Sequence, residues 1–353
     1  MRLTILILIS ILCFSCGKKQ AEEVKPPRKA ITSVTVNPIF DDSISIRAIA
    51  VTPNDDLIYG GNKTTIGHYD AKKNTHTALL KGKVPDSLNV SFRATAYVNG
   101  NTFGISIVNP ALLYKISSKG NVLLVYKEAH EKVFYDAMAF WNTREGIAIG
   151  DSTDDCMSMI ITRDGGNTWN KIACENLPKV NDGEAAFAAS NTNIVTKGNE
   201  TWVATGGKTS RILYSGDKGN TWTSYETPIV QGLETTGIYS LAFYDAKNGF
   251  AIGGDYTKAA VNEANKIRTS DGGKTWKLVA QNSGPGYRSC VQYVPNSDAK
   301  ELIAIGFKGI DYSQDAGTTW THLSDEGFYT IRFVNDSIAY AAGKNRIARL
   351  TFK

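Results

Sequence analysis

The sequence predicts an all-β protein, a seven-bladed β-propeller whose ring is closed by its own N-terminal strand. Three observations predict it. A pattern of the form Ser/Thr-x-Asp-x-Gly-x-Thr-Trp occurs four times, at 162–169, 215–222, 269–276 and 313–320, with its tryptophans 53, 54 and 44 residues apart. A period near 50 is that of a four-stranded propeller blade. The composition agrees, since 32 glycines and 16 tyrosines against 10 prolines imply many tight turns between aromatic-rich strands. Finally, the C-terminal unit holds only three strands, 328–334, 337–343 and 346–352, and residues 31–38 supply a fourth. Without that strand an edge would stand open. A six-bladed ring with a C-terminal extension is the alternative.

The chain opens with Met1-Arg2 and an apolar run from Leu3 to Phe14, too short for a spanning helix but suited to a secretory signal. It ends in Ser15-Cys16-Gly17, which resembles a bacterial lipobox, although Cys13 stands where an aliphatic residue is usual. Residues 1–15 are therefore read as a lipoprotein signal peptide and Cys16 as the lipidated residue. Residues 16–30, with Pro26-Pro27, read as a polar tether, and 31–353 as the propeller. This places the protein in the bacterial cell envelope, membrane-anchored, in the periplasm or on the outer surface.

Each repeat has a local physical cause. The aspartate accepts hydrogen bonds from turn amides, the glycine two residues later permits positive φ, and the tryptophan anchors the next strand under the turn. Asp164, Asp217, Asp271 and Asp315, with Trp169, Trp222, Trp276 and Trp320, are accordingly assigned to folding. The unit 238–280 shows the full strand order: 238–243, 249–253, 265–270 and 275–280. Two further units with decayed repeats run from 45 to 80 and from 91 to 128.

These repeats resemble the Asp-box, or BNR, propeller superfamily. Over 31–353 the chain is similar to its photosystem II stability/assembly factor-like branch, which implies seven blades and a non-enzymatic scaffold for a protein or glycan. Sialidases, more distantly similar, also carry such boxes. In this superfamily the box lies at the periphery of a blade, away from the binding site.

Export implies an oxidising compartment, and Cys156 and Cys174 flank one repeat at nearly equal distance. They are expected to face each other across the hairpin as a disulfide, while Cys290 falls in an inner strand. The starts of the inner strands carry Arg47, Arg93, Tyr135, Asp136, Glu184, Tyr239 and Arg288. The box turns occupy one face, so these residues are expected to ring a ligand-binding funnel on the other. Arginine forks suit carboxylates or phosphates, and tyrosines suit sugars or peptide side chains.

The alternative function is a sialidase- or glucanase-like glycoside hydrolase, with Asp136, Glu184 and Tyr239 as the catalytic candidates. The Arg-Ile-Pro motif expected of sialidases is absent, and Phe92-Arg93-Ala94-Thr95 only echoes it. No phosphate loop, HExxH or Cys/His metal spacing occurs, so no cofactor and no metal are expected. A net charge of +5 without a dense Lys/Arg block gives no indication of nucleic acid. The partners expected are the membrane, through the anchor, and a protein or carbohydrate ligand.

Overall fold

The computed structural model describes residues 29–85 and 87–353. The signal segment, Cys16 and most of the tether lie outside the described residues. Within them the chain is all-β: five four-stranded antiparallel sheets, one six-stranded sheet and a two-stranded ribbon. Four of the five four-stranded sheets use consecutive strands, as in Phe92–Val98, Asn101–Ser106, Ala111–Ser117 and Val122–Glu128, and the fifth skips only the short strand Gly206–Gly207.

Counted as continuous hydrogen-bonded sheets there are six blades, not the seven expected. The strand Val34–Val51 runs from its pairing with Ile338–Phe352 directly into its pairing with Leu57–Gly61. The first and last repeat units therefore share one six-stranded sheet. The N-terminal half of that strand pairs from Val34 opposite Phe352 to Asp41 opposite Arg346, with one register shift between Pro38 and Phe40.

The cores lie between neighbouring sheets, which is why both faces of the middle strands are apolar. Gly-Ile-Ala-Ile-Gly150 and Leu-Ile-Ala-Ile-Gly306 are buried along their whole length. One such interface packs Phe103 and Leu113 of one sheet against Tyr135, Met138, Ile160 and Trp169 of the next. Burying a side chain such as Phe103 is worth about 2–3 kcal/mol.

All four repeats fold into the same turn. In the first, Asp164 Oδ1 accepts from the Asn167 and Thr168 amides at 3.0 Å, and Oδ2 accepts from Thr168 Oγ1 at 2.7 Å. Asp217, Asp271 and Asp315 accept the equivalent threonine bonds at 2.6–2.7 Å. The tryptophan indoles of the last three repeats donate to the turn glycine carbonyls at 2.9–3.1 Å. Cys156 and Cys174 form a disulfide with their Cα atoms 5.4 Å apart, and Cys290 is a buried free thiol.

Candidate functional site

One irregularity recurs in the innermost strands and builds the site. In four of them the register against the second strand slips by one residue, at Arg47, Arg93, Asp136 and Tyr239. A β-bulge leaves its extra residue unpaired and re-aims the side chain. These are positions marked in the sequence as strand starts. In three of the four the second strand yields space for the bulge by ending in glycine, at Gly61, Gly150 and Gly253. A Cβ on Gly150 would meet the Phe134 carbonyl at 2.2 Å, and one on Gly253 would meet that of Gly237 at 1.8 Å.

The re-aimed side chains surround a cavity of about 510 Å³. Arg47, Arg93 and Tyr239 line it, joined by Asp151, Phe187, Tyr256, Tyr287, Phe307 and Tyr329. Its floor is a segment that sequence reading did not separate from the strands. Between Glu184–Ala185 and Ile194–Lys197 the chain leaves the sheet and crosses the axis. Along this crossing, Asn191 accepts from the Met138 amide at 2.8 Å and donates to the Thr95 carbonyl at 2.9 Å. Ser190 donates to the Ser289 carbonyl, Thr330 donates to that of Ser190, and the Leu241 amide donates to that of Thr192. The funnel is therefore blind: Ala185 to Ala189 line it, while Asn191 to Lys197 line a separate cavity on the far side.

Two guanidinium groups, Arg47 and Arg93, and two carboxylates, Asp151 and the exposed Glu234, line the funnel. The Arg47 guanidinium lies 4.0 Å from the Tyr329 ring centroid and reaches the Ala189 carbonyl at 3.5 Å. Arg93 lies over Phe134 at 5.9 Å. Among the described residues neither guanidinium has an ion-pair partner. Burial and then the Arg47 charge hold Arg93 below its ordinary value. Asp151 accepts from the Ala186 amide at 2.7 Å, and burial lifts its carboxyl to about 6.

Four of the expected ligand residues do not line the funnel. Tyr135 is buried between sheets and donates to Glu128 at 2.7 Å. Asp136 follows the bulge toward the axis but is fully covered by the crossing segment. Burial first, and then the Asp151 charge, push its carboxyl well above the usual range. Glu184 is gripped by Arg211 through Nε at 3.1 Å and Nη2 at 2.6 Å, with Thr205 Oγ1 at 2.7 Å. Arg288 turns outward to Asp311, Nε to Oδ2 at 2.6 Å. Tyr239 stacks on Phe187 with centroids 4.0 Å apart, and burial drives its hydroxyl pKa up, the opposite of what a nucleophile needs. The partners Arg211 and Asp311 went unmarked, although a charge opening or interrupting the apolar third strands Arg211–Ser215 and Gly309–Ser313 was the available signal. Among the described residues no cluster of three metal-ligating side chains occurs.

Comparison with known proteins places the fold. No protein-family model matches the chain, and no curated protein does. Solved structures match it closely in shape. The chain is similar to one described as YCF48 bound to D1 peptide, with 13% identity and a TM-score of 0.65, over 93% of this chain and 97% of that one. It is also similar to YCF48 from Cyanidioschyzon merolae, with 12% identity and a TM-score of 0.64, over 91% and 99%. A GH74 xyloglucanase from Xanthomonas campestris matches with 13% identity and a TM-score of 0.63, over 89% of this chain but 53% of that one. The protein is a β-propeller. At these identities the likeness is one of fold.

Proposed function

We propose that this protein is a non-enzymatic binding or assembly propeller of the cell envelope, anchored through Cys16. Its funnel captures a carboxylate-bearing segment of a protein partner. On this reading the four repeat turns are Asp boxes, and the pairing of Val34–Val51 with Ile338–Phe352 closes the ring. The observation that carries the reading is the pair Arg47 and Arg93, held in an aromatic cavity and in no ion pair among the described residues, although the charge of buried Asp136 acts on Arg93. Leaving two guanidinium groups partly desolvated and unpaired is costly, and an incoming carboxylate removes that cost. Tyr239, Tyr287 and Tyr329 supply rigid walls for an adjoining side chain. The blind floor suits a chain end or a projecting side chain rather than a threaded strand. A neighbour in fold that is described with a bound peptide is consistent with a protein partner.

The hydrolase alternative draws less support. It requires two carboxylates facing a substrate, whereas Asp136 has no exposed surface and Glu184 is occupied by Arg211.

The test is fluorescence anisotropy of a library of labelled acidic peptides against the full-length protein. Arg47→Ala and Arg93→Ala are each expected to weaken the best ligand about tenfold or more, as loss of a charge-assisted bond implies. Raised salt is expected to weaken the wild type more than either variant. Equal affinity for the amidated, uncharged versions of the peptides would refute the reading.

A further inference from the structure

Arg288, expected in the funnel, belongs instead to a second cavity of about 490 Å³ between the sheets spanning 238–278 and 290–324. The two cavities share a wall. Tyr287 and Phe307 face the funnel, and their chain neighbours Arg288 and Lys308 face the second cavity.

This cavity combines an aromatic platform with excess positive charge. Trp320 is half-buried on its lining, its indole N–H is already spent on the Gly317 carbonyl at 3.1 Å and its ring packs partly against Phe250 and Gly284, so the part of the ring left on the cavity is what remains for a ligand. Arg288 is 5% exposed. Its Nε and Nη1 are bound to Asp311 and to the Tyr287 carbonyl at 2.6 and 2.8 Å, but Nη2 has only a long contact to the Lys308 carbonyl at 3.4 Å. Lys308 is exposed on the rim. Behind the wall the fully buried Lys266 ammonium donates to the Pro285 carbonyl at 2.8 Å. His322 sits between Asp311 and Asp325, 3.0 Å from each, and the hydrogen bond with Asp311 is the main influence raising its pKa. Of the charged groups lining the cavity, Arg288 and Lys308 thus face the single carboxylate of Asp311, with the His322 imidazole beside it.

A small inorganic anion would leave the tryptophan ring unused, and a neutral sugar would leave the charge unmatched. A hexuronic acid satisfies both. Its pyranose C–H face lies on an indole, and its carboxylate meets Arg288 Nη2 and the Lys308 ammonium. We infer that this cavity is a second binding site, for the uronic acid residue of an acidic saccharide. It is separate from the peptide site in the funnel and does not depend on that reading.

The experiment is isothermal titration of the full-length protein with trigalacturonate, alongside galactotriose, inorganic phosphate and adenosine monophosphate. Trigalacturonate is expected to bind at least tenfold more tightly than the other three. Lys308→Ala, which removes an exposed side chain and keeps the backbone carbonyl, is expected to weaken it about tenfold, and Arg47→Ala to leave it unchanged. Absence of saturable trigalacturonate binding would overturn the inference. So would equal binding of any comparison ligand, or loss of binding in Arg47→Ala but not in Lys308→Ala.

Discussion

Arg47 and Arg93 share the funnel with two acids, Asp151 and the exposed Glu234, and Asp151 sets a pH dependence. Asp151 has its carboxyl lifted to about 6, because burial disfavours its charge more than the Ala186 amide supports it. At pH 7 it is mostly ionised and repels an incoming carboxylate; at pH 5 it is mostly neutral and does not. Linkage then requires an anionic ligand to bind more tightly as pH falls through about 6. The gain expected between pH 7 and pH 5 is about threefold to tenfold, the size of one screened charge–charge term. Asp151→Asn is expected to flatten the profile and keep the tighter, low-pH affinity. Anisotropy titrations of wild type and variant across that range check it. A wild-type affinity independent of pH would separate Asp151 from the ligand.

The crossing segment is the element that gives the funnel its floor. It is held by hydrogen bonds together with apolar contacts of Ala186, Phe187 and Ala189. Asn191 carries most of this duty. It adopts φ of +56°, which asparagine tolerates better than most residues, and its amide bridges Met138 and Thr95. Asn191→Leu is expected to cost about 2–4 kcal/mol, since it strands a buried N–H and a buried C=O. It is also expected to impair binding in the funnel beyond the stability loss, because Ala189 under Arg47 is two residues away. Urea denaturation together with peptide binding measures both.

Locality explains what the sequence made legible. Repeat turns and buried middle strands are local, and the pattern around Asp164 or along 302–306 announces them directly. Bulge positions were visible as polar residues at strand starts. The crossing segment was not, because Ala-Phe-Ala-Ala-Ser-Asn-Thr-Asn193 reads equally well as a weak strand, and its partners lie up to about 140 residues away. The pairings Glu184–Arg211 and Arg288–Asp311 escaped for a related reason: a charge at a strand start says where it sits, but not which neighbour claims it.

At the scale of the whole molecule, stability depends on where the two ends meet. The amides of Thr32 and Ser33 donate to the Lys353 carbonyl at 2.6 and 3.1 Å, and the Lys353 amide donates back to Ser33 at 3.0 Å. From there Val34–Val51 joins the first and last repeat units in one sheet and covers the edge of Ile338–Phe352. Ile39, Phe40 and Ile44 also pack against Tyr59, Tyr340 and Ile347, which ties the pairing to a core cluster. A chain beginning at Ser45 loses both the ladder and those side chains, and it exposes the edge of Ile338–Phe352. The expected result is a fall in melting temperature of at least about 10 °C, because the apolar burial lost far exceeds the few kcal/mol such a shift represents in a chain of this size. Concentration-dependent association through the bared edge is expected to accompany it. Differential scanning calorimetry and sizing at two concentrations test this. A monomeric variant melting at the wild-type temperature would mean that the remaining blade contacts hold the ring without the N-terminal strand.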